Sequence, residues 1–198
     1  MKERIAKLTR ETSESCIEVE VNLDGTGNYR VETGNGMFDH VLAQISRHGL
    51  IDLVISAQGD VEVGWHHVIE DTGIVLGRAI SQAVGDAKGI VRMGHAIVPL
   101  DEALAMVAVD FGGRGYSILE TDLTETDMGQ LSPQLVNHFL ETLAREGKFN
   151  LHVRVLSGHS NHHKAEAVFK AIARSMRVAL SHDDRNLGRA PSTKGVID

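Results

Sequence analysis

Two five-residue segments of this chain share one pattern, His66-His67-x-x-Glu70 and His162-His163-x-x-Glu166, and lie 96 residues apart. Each has a further histidine upstream, His40 and His138, and each of these stands nine residues before a glycine, Gly49 and Gly147. Imidazole and carboxylate at such spacing are the donor set of a transition-metal site. On a helix successive residues turn by about 100°, so His66 and His67 diverge while Glu70, about 40° from His66, falls between them. One ion cannot easily take both imidazoles of one helix. Each is therefore expected to serve a separate ion with Glu70 assisting one of them, and the same holds for His162, His163 and Glu166. Two ions per site, or two per pair of halves, is the simplest count. Three imidazoles and a carboxylate with room for substrate suit Mn, Fe, Co or Zn better than Ca or Mg, which prefer oxygen shells. Open octahedral positions favour Mn or Fe over Zn. His48, His95, His152, His159 and His182 lack the double register and read as capping or solvated residues.

These ligands need elements to carry them. Residues 17–33 alternate apolar and polar side chains around Asp24-Gly25-Thr26-Gly27, which predicts a β-hairpin. Met37 to His48 has helical apolar spacing and stops at Gly49, a natural cap. Ile51–Ala57 and Val61–Val63 flank Gln58-Gly59-Asp60 as a second expected hairpin, and His66 to Val84 carries a helical stripe despite Gly73 and Gly77. The plan recurs downstream. Ala103–Val109 and Tyr116–Leu119 are expected strands around the Gly112-Gly113-Arg114-Gly115 turn, and Ser132-Pro133 opens a helix running to Gly147. Leu151–Leu156 reads as a strand and His162–Leu180 as a helix. Repetition of whole supersecondary units points to duplication. The expected fold is α/β, of the α+β kind: half-repeats 1–92 and 93–189, whose two sheets pack through their helices in a single compact subunit, and a C-terminal tail 190–198.

Composition narrows the partners. A net charge of −7 without a Lys/Arg-rich face argues against nucleic acid. A single cysteine, Cys16, forms no intrachain disulfide and fits a reducing compartment. No stretch approaches the roughly 20 apolar residues that span a bilayer, and MKERIAKLTRETSES lacks the apolar core of a signal peptide, so a cytoplasmic protein is expected. Hydrophobic residues make up 42% of the chain and support a core, but aromatics are only 4%, so Ile, Leu, Val, Ala and Met are expected to fill it.

A series of short strings in fixed order then carries a resemblance. They are Arg10-x-Thr12-x-Glu14, Asn22-Leu23-Asp24-Gly25-Thr26-Gly27, Phe38-Asp39-His40, His66-His67-Val68-Ile69-Glu70-Asp71, Pro99-Leu100-Asp101-Glu102-Ala103-Leu104, the second His-His segment, and Pro191-Ser192-Thr193-Lys194-Gly195-Val196. Over nearly its whole length the chain resembles the imidazoleglycerol-phosphate dehydratases of histidine biosynthesis. The resemblance implies a duplicated βα fold like that of ribosomal protein S5 domain 2, a pair of Mn2+ ions per active site, and a homo-oligomeric shell of 24 subunits with active sites between them. It implies that one ion takes His66, His138, His162 and Glu166, and the other His40, His67, Glu70 and His163. It implies phosphate contacts from Arg92, Arg114, Ser192 and Lys194, with Glu14 and Gln44 near the substrate. Two departures stand out. Gly64-Trp65 replaces the usual acidic pair before the first His-His, and Gly115 follows Arg114 where a proline is common.

The chemistry that the resemblance implies is dehydration of imidazole glycerol phosphate to imidazole acetol phosphate. With both ring nitrogens on metal, the ring becomes imidazolate-like and can expel hydroxide from its neighbouring carbon, giving a diazafulvene that loses a proton to an enol and then a ketone. Proton transfer falls to Glu14 or a metal-bound water or hydroxide. Glu70 and Glu166 are carboxylates expected both to ligate and to act in catalysis. Planar guanidinium groups at Arg92 and Arg114 suit phosphate, and Lys194 adds a flexible charge, so the tail is expected to order on phosphate. Two other functions use similar ligands: a dinuclear phosphoesterase, which would release inorganic phosphate, and a metal-storage protein, which would leave the arginines and the tail without work.

Overall fold

The computed structural model describes residues 3–124, 126 and 128–197. The strands are β1 (Ile5–Glu11), β2 (Ser15–Asn22), β3 (Tyr29–Glu32), β4 (Asp52–Gly59), β5 (Met93–Leu100), β6 (Ala103–Asp110), β7 (Tyr116–Glu120) and β8 (Asn150–Ser157). The helices are α1 (Gly36–Gly49), α2 (His66–Val84), α3 (Pro133–Gly147) and α4 (Asn161–Leu180). They form two four-stranded sheets of the same topology, β1-β2-β4-β3 and β5-β6-β8-β7.

Three local expectations change. Residues 17–33 supply β2 and β3, but these do not pair with one another: β4 lies between them, antiparallel to β2 and parallel to β3. β6 and β7 are separated by β8 in the same way. Pairing through a later strand leaves no mark in the turn itself, because alternation reports a buried face and not a neighbour. Val61–Val63 is a 3-10 turn rather than a strand, and all of it is exposed or nearly so. Gly49 and Gly147 are the last helical residues. The left-handed caps are Leu50 (φ 55°) and Lys148 (φ 54°). β1 and β5 complete the sheets at one edge and were not foreseen, since their inward faces are weakly apolar: Arg10 interrupts that of β1, and Gly94 and Ala96 make up half of that of β5.

Inward alternation builds the core. Ile17, Val19 and Val21 of β2 and Ala103, Ala105, Val107 and Val109 of β6 are buried. α2 covers β1 and β2, α4 covers β5 and β6, and the halves meet where α1 packs on α4 and α2 on α3. Three of the five phenylalanines sit at the centre of this four-helix layer. Phe38 of α1 meets Phe139 of α3 edge-on at 5.0 Å, and Phe139 stacks on Phe169 of α4 at 6.0 Å between ring centroids. Large flat rings at the joint supply contact area that the aliphatic residues fill in elsewhere.

Candidate metal centres

The helix joint brings the repeated histidines together across the halves. α1 lies on α4, so His40 of the first half meets His162 and Glu166 of the second. Its Nε2 is 3.0 Å from Glu166 Oε2, and His162 Nε2 is 3.2 Å from the same oxygen. α2 lies on α3, so His138 of the second half meets His66 and Glu70 of the first. His66 Nε2 is 3.4 Å from Glu70 Oε2, and His138 Nε2 is 3.4 Å from Glu70 Oε1. In each triad one donor atom per residue lies within 4.8 Å of the others. Each centre therefore takes one histidine from the first helix of one half and a His/Glu pair from the second helix of the other.

The grouping within one chain differs from the one that the resemblance implied. Glu70 stands with His66 and His138 rather than with His40 and His67, and Glu166 stands with His40 and His162. The reason is helical: the i,i+4 carboxylate turns about 40° from the first histidine of the pair but about 60° from the second. His67 and His163 leave their own triads. Their rings stand nearly perpendicular to those of His66 and His162, at 87° and 88° with centroids 5.9 Å apart.

Both diverging histidines are held by carboxylates. His67 Nδ1 is 2.9 and 3.1 Å from the two oxygens of Asp60, and His163 Nδ1 is 2.7 Å from Glu102 Oε2. These bonds raise both histidines above the usual imidazole value, and the one to His163 lowers Glu102 to about 2. Burial works against ionisation of Glu166, yet hydrogen bonds from His40 and Lys170 outweigh it and hold its carboxyl at about 2. Lys170 Nζ is 2.7 Å from Glu166 Oε1. Asp60, Glu102 and Lys170 escaped the sequence reading. The signals available were Glu102 within the Pro99 to Leu104 string and Lys170 one helical turn after Glu166.

The donor set fits a divalent transition metal. The second triad also contains an orphan: His138 Nε2 is buried and has no hydrogen-bond partner among the described residues, which a native interior rarely tolerates without a function. An open cleft of 640 Å³ lies beside the first triad, lined by His40, His162, Thr124, Met128 and His159.

The remaining expected residues are spread out. Glu14 is exposed, with a carboxylate oxygen 3.9 Å from His67 Nε2. Gln44 donates to the backbone oxygen of His40 one turn earlier. Arg92 is half-buried and bound to both oxygens of Asp110, at 2.6 and 2.9 Å, while its Nη1 donates to Pro191 O at 2.9 Å. It thus straps down the tail, and two of its five N–H groups stay outside these bonds. Arg114 is exposed on its turn, Ser192 Oγ accepts from the Lys194 backbone N–H, and both tail residues are partly or fully exposed. Within one chain these groups do not converge on either triad.

Comparison with known proteins agrees in fold and sequence. The family model described as imidazoleglycerol-phosphate dehydratase matches residues 33–176. An imidazoleglycerol-phosphate dehydratase of Dehalococcoides mccartyi is 48% identical over 198 residues, covering 100% of both chains. The crystal structure of the Staphylococcus aureus dehydratase superposes with a TM-score of 0.82 at 32% identity, over 90% of this chain and 99% of that one. The Pyrococcus furiosus enzyme, solved in complex with (S)-C348, gives a TM-score of 0.81 at 32% identity, over 96% and 99%. With two triads placed alike by duplicated helices and this likeness along the full chain, the protein belongs to the imidazoleglycerol-phosphate dehydratase family.

Proposed function

We propose that this chain is a metal-dependent hydro-lyase that converts imidazole glycerol phosphate to imidazole acetol phosphate in histidine biosynthesis. The observation that carries this reading is the convergence of two His-His-Glu triads on separate helix pairs. Two Mn2+ ions per active site would be held by His40, His162 and Glu166 and by His66, His138 and Glu70. Bound there, they would supply the Lewis acidity that favours the imidazolate-like form of the substrate ring, the form whose electrons can expel hydroxide from the neighbouring carbon. Glu166 enters this role already ionised, since its hydrogen bonds keep it charged far below neutral pH. Glu14 is the proton-transfer group because its carboxylate is exposed beside His67. Arg92, Arg114, Ser192 and Lys194 bind the phosphate, with Gln44 beside the ring.

Each triad supplies three ligands, and His67 and His163 face away with their Nε2 atoms. The simplest completion is exchange between copies, each chain lending these histidines to neighbouring centres. The 24-subunit shell that the family resemblance implies would do this. It would also gather Glu14, the arginines and the tail, which one chain leaves apart. The outer face of the second sheet supports self-association. It exposes Met93, Ile97, Met106, Ile118 and Leu156, an apolar patch of the kind that marks an interface.

The test is anaerobic reconstitution of metal-stripped protein with Mn, Fe, Co or Zn, followed by assay on imidazole glycerol phosphate. A ketone product with phosphate retained is expected. Release of inorganic phosphate would point to a phosphoesterase, and metal uptake without turnover to a storage protein.

A further inference from the structure

We propose that Asp60 and Glu102 are positioning residues for the metal centres: each fixes one diverging histidine, His67 or His163, with its Nε2 lone pair directed outward as a ligand. The inference rests on the metal reading above and adds the groups that make those two histidines competent.

A neutral imidazole carries its proton on one nitrogen and a lone pair on the other, and a carboxylate accepting from one nitrogen decides which. At His67 the Asp60 carboxylate takes Nδ1–H through both oxygens, at 2.9 and 3.1 Å. At His163 Glu102 does the same at 2.7 Å. The proton is then on Nδ1 in both residues, and Nε2 is left as the donor atom. The same contact blocks rotation of the ring, so the ligand is aimed before an ion arrives. In both cases the carboxylate at Nδ1 is the more enclosed one, with side-chain exposures of 28% and 25%. The carboxylate facing Nε2 is open to solvent, Glu14 at 55% and Asp101 at 73%.

The two halves reach this geometry from different chain positions, which a chance contact would not do. Asp60 directly follows β4. The residue that directly follows β8 is Gly158, with φ at 135°, and a Cβ there would stand 2.9 Å from Lys164 Cγ and 3.0 Å from Ala103 Cβ. No carboxylate fits at that place. The second half instead uses Glu102, the residue just before β6, whose counterpart just before β2 is Glu14. Duplication thus exchanged the source of the carboxylate and kept its position against the ring.

Asp60 is the cleaner target, because Glu102 Oε1 also accepts from the backbone N–H groups of His159 and Ser160 and so supports the start of α4. Full-length, metal-stripped protein is titrated with MnCl2 alone and free Mn2+ is read by electron paramagnetic resonance. Asp60→Ala is expected to weaken one class of sites by about 10- to 100-fold. The size and melting temperature of the metal-free protein should stay as in the wild type. Asp60→Asn keeps an oxygen that accepts Nδ1–H, so it should recover most of the affinity. Glu102→Gln, which keeps one acceptor oxygen, should weaken the other class less than Asp60→Ala weakens its own. Wild-type Mn2+ affinity in Asp60→Ala, with a site lost in His67→Ala, would overturn the positioning role and leave the metal reading intact. Unchanged binding in His67→Ala and His163→Ala would also overturn the positioning role, and unchanged binding in His66→Ala and His162→Ala would defeat the metal reading itself. Loss of affinity in Asp60→Ala that follows a lowered melting temperature, with no recovery in Asp60→Asn, would reduce Asp60 to a structural role.

Discussion

Glu166 carries a charge where burial opposes it, and two neighbours keep it there, His40 and Lys170. Its carboxyl and that of Glu102 sit at about 2 instead of the ordinary 4.5. A carboxyl lowered in the folded state contributes stability above its unfolded value and loses it as the pH falls toward the folded one. We therefore expect the urea midpoint of the metal-free protein to drop between pH 4.5 and 2, and Glu166→Gln to make that drop shallower. His67 and His163 work in the opposite sense, being raised by Asp60 and Glu102. Their share of stability is full below 6.5 and is lost as the pH climbs through the raised values. His138 sets function against stability at a single atom. Its buried Nε2 makes no hydrogen bond among the described residues, which costs on the order of 1 kcal/mol. His138→Leu should raise the metal-free melting temperature while Mn2+ bound per chain, measured by elemental analysis, falls.

At the level of elements, the centres exist because helices of opposite halves approach closely. Gly77 lets α2 reach the end of α3: a Cβ there would stand 2.8 Å from Gly147 N and 2.9 Å from Leu143 O. Alanine is the better helix former by about 1 kcal/mol, but overpacking against rigid backbone costs about 1–3 kcal/mol. Gly77→Ala should therefore lower the denaturant midpoint and loosen the His66, Glu70 and His138 triad with it. Gly77 reads in the sequence only as a blemish in a helix, since the partner that requires it lies about 70 residues away. The tail is a second case. Arg92 joins the strand layer to Pro191 through one hydrogen bond, with Asp110 holding the guanidinium in place. Deletion of residues 190–198 should weaken substrate affinity, seen as a raised KM. An unchanged KM would remove the tail from the phosphate site.

For the whole molecule, the duplicated sheets differ most on their outer faces. Where the first sheet places Thr9, Glu18, Glu20 and Arg30 outward, the second places Ile97, Met106, Ala108 and Ile118 at the matching positions. If copies associate as proposed, this asymmetry makes the second face the one expected to be covered. Met106→Glu should shift the protein to smaller species in light scattering, because an uncompensated charge in an apolar interface is costly. Glu18→Lys, at the same place on the first sheet, should leave the size unchanged.

Periodicity alone located the four helices to within a residue or two, the alternation of β2, β6 and β8, and the duplication that relates the halves. Residue type and helical spacing, which are local facts, also singled out His40, His66, His67, Glu70, His138, His162, His163 and Glu166, six of which the fold gathers into two triads. The partition of those ligands was not local. Which glutamate joins which upstream histidine depends on α1 meeting α4 and α2 meeting α3 across the duplication, and helix packing leaves no periodic signature in the chain. The same is true of β4 entering between β2 and β3, and of Asp60 and Glu102 reaching equivalent rings from inequivalent positions. Contacts between residues distant in sequence are chosen by the complementarity of packed surfaces, and only the folded molecule decides them.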